Sequence, residues 1–136
     1  MDAGFPDVRE LGPLQLAYLG DTLHDLYVRS RLVATHAPVG RMHRRASAMV
    51  CARTQAAILE ALADDLTPEE ADAARRGRNA QARHAAPRSA SAEEYAKATA
   101  LETLWGYLYI TGQEARMRAL MDAGFARTEE LWEGQR

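Results

Sequence analysis

Two acidic residues lie inside apolar, helix-like stretches in opposite halves of this sequence. The first stretch is Leu16-Ala-Tyr-Leu-Gly-Asp21 and the second is Ala100-Leu-Glu102-Thr-Leu-Trp-Gly106. A carboxylate in apolar surroundings is unfavourable unless it is paired or binds a cation. Each acid also has a glycine close to it, and a glycine allows a second helix to approach closely. If the two helices pack at these glycines, the carboxylates meet, and their oxygens suit Mg²⁺ or Mn²⁺ better than zinc.

Two further polar residues share a helical face with these acids. Asp25 follows Asp21 by one helical turn, and Thr99 precedes Glu102 by one turn. We assign both as candidates for the outer shell of a metal site, where Thr99 would hold a metal-bound water. The simpler alternative is that the carboxylates are solvated at the surface. The spacing alone favours this alternative, because acidic side chains mostly lie in water.

A dense group of basic and amide side chains lies between the two acidic stretches. It consists of Arg75, Arg76, Arg78, Asn79 and Arg83. We predict that a helix ends around Arg76–Gly77 and that residues 77–90 form an exposed loop, which the glycine allows to bend toward a phosphate backbone. Arginine and asparagine can contact the phosphates and 2′-hydroxyls through which duplex RNA is recognised. The alternative is a solvated helix C-terminus whose basic residues complement the helix dipole.

A second basic group is a weaker candidate for RNA contact. Its members are Arg41, His43, Arg44 and Arg45, at the start of a predicted helix. Positive charge at a helix N-terminus opposes the helix dipole, so an anionic partner would relieve the conflict.

The composition of the chain limits the classes of function. Its 136 residues suit one domain, and its formal net charge of −2 argues against a protein that coats nucleic acid by charge alone. The single cysteine, Cys51, excludes an internal disulfide and is predicted to be a small buried hydrophobe. The sequence shows neither an apolar stretch long enough for a membrane span nor a signal-peptide pattern. We therefore expect a soluble, cytoplasmic protein.

Hydrophobic periodicity of the helical kind predicts an all-α fold. The expected helices run from Pro13 to Ala34, from about Arg41 to Leu62, from Thr67 to Arg76–Gly77, from Ser91 to Gly112, and through Met117 to Gly124. His24 points away from Asp21 on its helix, and we predict a surface or dimer-interface position for it. The aromatic residues near the second acid, together with Trp132, are expected to pack in the core or at a dimer contact: Trp105, Tyr107 and Tyr109.

These motifs together resemble the ribonuclease III family. Leu16–Asp21 is similar to the signature helix of that family, which ends in Leu-Gly-Asp, and Ala100–Tyr109 is similar to its second acidic helix. Arg76–Ala80, the short chain and the absence of a double-stranded-RNA-binding domain resemble the Mini-ribonuclease III subfamily. The similarity covers roughly residues 12–125 and rests on three motifs in the family's order.

The resemblance implies that residues 1–136 form one ribonuclease III-like helical bundle. It also implies that the protein is a homodimer and cleaves double-stranded RNA with Mg²⁺ or Mn²⁺. It implies that Asp21 and Glu102 are the catalytic metal ligands, and that the substrate is precursor RNA of the large ribosomal subunit (23S). Ala17 and Thr99 stand where the standard family has further acids, and the Mini subfamily is similar to this chain in lacking them. The alternatives are a non-catalytic, dimeric structured-RNA-binding protein of the same fold and an unrelated helical interaction protein.

Overall fold

A computed structural model of the chain describes residues 4–83 and 91–133. Over these residues the chain is helical and contains no strand, which confirms the predicted all-α class. The helices are α1 (Pro13–Val33), α2 (Val39–Val50), α3 (Ala52–Leu62), α4 (Pro68–Gln81), α5 (Ala92–Ile110), α6 (Glu114–Arg127) and α7 (Glu129–Trp132), with short 3-10 turns at Val8–Glu10 and Ala63–Asp65.

Helix α5 forms the centre of the bundle. Its apolar side chains face all directions, and Leu101, Leu104, Trp105 and Leu108 are completely buried. A helix that is apolar on every side can be stable only when neighbours surround it, and α1, α3, α4 and α6 all pack against α5. Its start is the predicted capping box, in which the amide of Glu94 donates to the Ser91 hydroxyl over 3.0 Å.

The helix predicted over residues 41–62 is two helices. The chain leaves the helical conformation at Cys51, whose φ and ψ are −67° and 158°. Two side chains of the next helix bond the carbonyls that this break leaves without helical partners: the Thr54 hydroxyl donates to Ala48 O over 2.6 Å, and Gln55 Nε2 donates to Val50 O over 2.8 Å. The prediction that Cys51 is buried is wrong, because the break turns its side chain to the surface.

Helix α4 is longer than predicted. It continues through Gly77 to Gln81, so Arg78 and Asn79 are helical rather than part of a loop. Glycine weakens an isolated helix, but a Cβ at position 77 would lie 2.7 Å from Thr103 Cβ, so Gly77 is the point where α4 packs on α5. Tertiary packing of this kind outweighs local helix propensity. The part of the predicted loop over residues 84–90 lies outside the described residues.

The predicted surface or dimer-interface position of His24 is also wrong. Its side chain is buried between helices, with 1% of its surface exposed. Trp105 Nε1 donates a hydrogen bond to His24 Nδ1 over 3.2 Å, so the other ring nitrogen, Nε2, is the one that donates to Met49 O, also over 3.2 Å. Burial lowers the pKa of His24. The neutral imidazole therefore serves as a structural link between α1, α2 and α5.

An ion pair between the buried Glu70 and the partly exposed Arg116 joins the start of α4 to α6. The side chain of Glu70 is 2% exposed and receives hydrogen bonds from Arg116 Nε over 2.9 Å and from the Thr67 amide over 2.9 Å. Arg116 also donates to Asp65 O over 2.7 Å. The hydrogen bond from Arg116 is the main reason why the pKa of Glu70 is lowered from its ordinary value of 4.5.

Replacing Arg116 with Met is therefore expected to lower the free energy of unfolding by about 2 kcal/mol at pH 7, because Glu70 stays buried without its charged partner. Since the folded-state pKa of Glu70 is lowered, this contribution is present above the ordinary glutamate value and is lost as the pH falls through the folded-state value. Urea denaturation at pH 7 and in acid measures both effects. Arg118→Met is the control, because Arg118 is exposed; equal losses in the two variants would contradict the assignment.

Candidate active site

Two glycines bring the backbones of α1 and α5 into direct contact. A Cβ at Gly20 would lie 2.5 Å from the carbonyl carbon and 2.9 Å from the Cα of Glu102. A Cβ at Gly106 would lie 2.8 Å from the carbonyl carbon of Leu16. All three distances are too short for any side chain, so the two helices can cross this closely only at glycine. The predicted helix contact through the glycines beside the two acids is confirmed.

The crossing places the carboxyl groups of Asp21 and Glu102 side by side. Asp21 is exposed, whereas Glu102 is half-buried between the helices. Burial, followed by the negative charge and hydrogen bonding of Asp21, raises the pKa of Glu102 from 4.5 to about 8. Without a cation, the pair therefore retains one proton at neutral pH, as close carboxylates do. A divalent cation between the two groups would favour the ionised form of both.

A third polar side chain reaches this pair from α3. Gln55 is 4% exposed, and its amide lies close enough to the carboxyl group of Glu102 to oppose the rise in the pKa of that acid. Gln55 is not among the site residues predicted from the sequence. The available signal is a glutamine on the apolar face of a helix, between Thr54 and Ala56, where a buried amide needs polar partners.

The two residues predicted for an outer shell have other partners in the structure. The carboxylate of Asp25 forms an ion pair with Arg29, one turn further along α1, with Oδ2 and Nε 3.0 Å apart. Thr99 is buried, and its hydroxyl donates to Tyr95 O of its own helix over 3.0 Å. Among residues 4–83 and 91–133, no three side chains of the His, Cys, Asp and Glu types are grouped so that they could hold a metal ion. The described site thus consists of two carboxylates and one amide.

The predicted RNA-binding arginines divide into two kinds. Arg75 pairs with Asp72, and Arg78 pairs with Glu93 of α5 at 3.0 Å. Arg76 and Asn79 are exposed and three residues apart, so the extended α4 presents them on one face, and the exposed Arg83 follows in the turn after the helix.

The weaker basic group at α2 divides in the same way. Arg44 is exposed. The side chain of Arg45 is only 14% exposed, lies 3.5 Å from Glu133, and stacks over the ring of Trp132. Trp132 and Trp105 are both buried in the core, as predicted. Arg45 therefore anchors α7 to α2, and Arg44 is better placed to meet a polyanion.

None of the helices in the described part of the chain has the length and hydrophobicity that a bilayer crossing requires.

Comparisons with known proteins identify the family of this chain. The family model described as Ribonuclease III domain matches residues 14–113, a segment that includes Asp21, Gln55 and Glu102. The chain therefore belongs to the ribonuclease III family of endoribonucleases. Membership of this family contradicts the alternative of an unrelated helical interaction protein.

Individual relatives narrow the assignment to one branch of the family. Mini-ribonuclease 3 of Symbiobacterium thermophilum is 48% identical over 114 residues, which cover 83% of this chain and 87% of that protein. Mini-ribonuclease 3 of Synechocystis sp. is 45% identical over 79% of this chain and 74% of that protein. A crystal structure of a protein from Fusobacterium nucleatum has a TM-score of 0.78 at 28% identity and covers 85% of this chain and 93% of its own. The resemblance to the Mini subfamily is confirmed.

Proposed function

We propose that this protein is a metal-dependent endoribonuclease that cleaves double-stranded RNA, with Asp21 and Glu102 as its metal ligands. The observation that supports the proposal is the carboxyl pair at the crossing of α1 and α5, where one member is half-buried beside the other. This placement is unfavourable for two anions alone and favourable around a divalent cation. Mg²⁺ and Mn²⁺ prefer oxygen ligands, and Mg²⁺ is commonly held by one or two carboxylates, waters and substrate phosphates.

The residues of the site have distinct tasks in this proposal. When bound, a divalent cation would lower the pKa of a water and neutralise charge on the scissile phosphate. Glu102 is fixed between helices and would hold the cation from the protein side, whereas the exposed Asp21 would hold it where the RNA enters. His24 cannot act as the base from its observed position, because both of its ring nitrogens are hydrogen-bonded in the core.

The RNA contact is proposed for the exposed face of α4 and the residues after it. Arg76, Asn79 and Arg83 would bind phosphates and 2′-hydroxyls, with Arg75 and Arg78 of α4 as further cations and Arg44 of α2 as a weaker candidate. We propose precursor RNA of the large ribosomal subunit (23S) as the substrate and the cytoplasm as the location, on the basis of the family resemblance. Cleavage of this precursor in Mg²⁺, compared with binding alone in Ca²⁺, tests the activity and the substrate together.

We also propose that the active form is a homodimer of single-domain subunits. Helix α1 carries an exposed apolar stripe with Leu14, Tyr18 and Leu26, of which Tyr18 is 86% exposed. A neighbouring groove with a volume of about 780 Å³ is lined by Leu26, Tyr27, Met117 and other residues. A second copy related by two-fold symmetry would cover this stripe with the same stripe. Because Asp21 is on the same helix, the dimer would bring two sites together, one for each RNA strand.

Replacing Tyr18 with Arg is expected to convert the dimer to a monomer, because charged side chains would then face each other across the two-fold axis. Size-exclusion chromatography with light scattering measures the mass directly. The matched control is Val39→Arg on α2, where an apolar residue is 65% exposed away from this stripe. A dimeric Tyr18→Arg protein, or a monomeric Val39→Arg protein, would contradict the proposed interface.

A second candidate function is binding of structured RNA without cleavage. Alanine and threonine carry no carboxylate, so positions 17 and 99 add no acidic ligand to the described site. Ala17 is also buried, and the Thr99 hydroxyl bonds its own helix. Retention of duplex RNA without any cleavage in Mg²⁺ or Mn²⁺ would favour this alternative.

A further inference from the structure

A buried amide lies behind Glu102, and the proposed mechanism does not use it. Gln55 reaches the carboxyl group of Glu102 from α3, which packs along α5. Its Nε2 also donates to Val50 O over 2.8 Å at the break between α2 and α3. One amide nitrogen carries two hydrogens, so it can bond both oxygens at once. Gln55 thus connects the backbone of the α2–α3 break to one acid of the site.

The other atom of this amide, Oε1, is buried and has no hydrogen-bond partner among the described residues. A buried acceptor without a donor is unfavourable, because it has lost its hydrogen bonds to water and gained none in return. Rotating the amide by half a turn would not remove the cost, because the oxygen would then face the carbonyl oxygen of Val50. The orientation of the amide is therefore fixed by its hydrogen bond to Val50 O, and its buried oxygen is left in need of a donor.

Mg²⁺ and Mn²⁺ supply donors of the required kind. A hydrated cation bound through two carboxylates keeps several waters, and each of those waters donates hydrogen bonds to acceptors around the site. Groups that orient the ligands and waters of a metal are as important to its affinity as many direct ligands. An uncharged acceptor also avoids a third negative charge beside the carboxyl groups of Asp21 and Glu102.

We infer, on the basis of the proposed function, that Gln55 is a positioning residue of the metal site. Its Nε2 holds the Glu102 carboxylate in place, and its Oε1 accepts a hydrogen bond from a water of the cation held by Asp21 and Glu102. Gln55 does not contact the reacting atoms. Its effect is on the affinity and the position of the metal.

If Gln55 had a purely structural role, different results would be expected. The neighbouring Thr54 provides a comparison, because it bonds across the same break between α2 and α3. Thr54 is adjacent, 1% exposed, and donates to Ala48 O over 2.6 Å across the same break. Its hydroxyl also accepts a hydrogen bond from Cys51 Sγ, in the same junction. If Gln55 only closes the break between α2 and α3, then its loss and the loss of the Thr54 hydroxyl should have the same consequences.

The experiment compares wild type, Gln55→Met, Thr54→Val and Asp21→Asn in the absence of RNA. Isothermal titration calorimetry with Mn²⁺ gives the Kd for the cation, and urea denaturation gives the stability of each variant. Gln55→Met is expected to weaken Mn²⁺ binding about tenfold or more, whereas Thr54→Val should bind as wild type even if it is less stable. In cleavage assays, Gln55→Met should raise the Mg²⁺ concentration for half-maximal rate and leave the KM for RNA unchanged.

The measurements distinguish a failure of the positioning role of Gln55 from a failure of the proposed nuclease function. Wild-type affinity in Gln55→Met, or an equal loss in Thr54→Val, would overturn the positioning role and leave the proposed nuclease intact. Failure of wild type itself to bind Mn²⁺ would overturn both. If Gln55→Met does not fold, Gln55→Asn replaces it: the shorter amide cannot reach Val50 and Glu102 together, so it too should weaken Mn²⁺ binding.

Discussion

Asp21→Asn is expected to reduce cleavage of duplex RNA at least about a thousandfold while duplex binding stays close to that of wild type. The substitution removes one of two carboxylates that would hold the metal, and a catalytic metal supplies several kcal/mol of transition-state stabilisation. Binding should persist, because Asp21 is itself negative and its loss takes no attraction away from the phosphates. Single-turnover cleavage in Mg²⁺ and binding in Ca²⁺ measure the two quantities separately.

The same substitution should not destabilise the fold. Asp21 is exposed, and its charge raises the pKa of the half-buried Glu102. Removing that charge relieves a repulsion, so the melting temperature is expected to stay the same or rise. Glu114→Gln is the control, because Glu114 is an exposed acid on α6 that pairs with Arg118. Cleavage by Asp21→Asn within tenfold of wild type would remove Asp21 from the catalytic site.

The loss of cleavage expected for Asp21→Asn depends on the crossing of α1 and α5, and this crossing could be predicted from the sequence. Local signals define the two helices that matter most: Pro13 suits the first turn of α1, and the Ser91 capping box starts α5. Glycine beside each acid indicates the point of closest approach. These signals are local in sequence, and the structure confirms the crossing that they predict.

Other features depend on contacts that no local pattern encodes. Gly77 is a helix terminator by propensity, yet α4 continues because Thr103 of α5 leaves space only for a glycine there. His24 is polar, yet it is buried because Trp105 and Met49 supply partners for both ring nitrogens. Gln55 was missed for the same reason, since its partners lie on other segments. In each case a distant residue decides the position, and a single sequence does not reveal which residue it is.

Gly20→Ala is expected to have the largest effect on the fold of the site. The added Cβ would overlap the backbone of Glu102, which cannot move aside as a flexible side chain could, so α1 and α5 must separate. Overpacking of a well-packed core usually costs about 1–3 kcal/mol and occasionally more, and we place this clash with backbone at the upper end. Separation of the helices would also move Asp21 away from Glu102. Urea denaturation and Mn²⁺ titration should therefore show a loss of stability and of metal affinity together.

Substitutions at two other glycines serve as comparisons for Gly20→Ala. Gly106→Ala lies at the same crossing but next to Leu16, and it should reduce stability to a similar degree. Gly40→Ala lies near the start of α2, where the nearest neighbour of a new Cβ is Arg44 Nη1 at 3.9 Å, so it should be neutral or stabilise the helix by up to about 1 kcal/mol. If Gly20→Ala behaves like Gly40→Ala, the helices do not cross as closely as the structure shows. The carboxylates would then lack the contact on which the nuclease proposal depends, because nothing else in the described site holds them together.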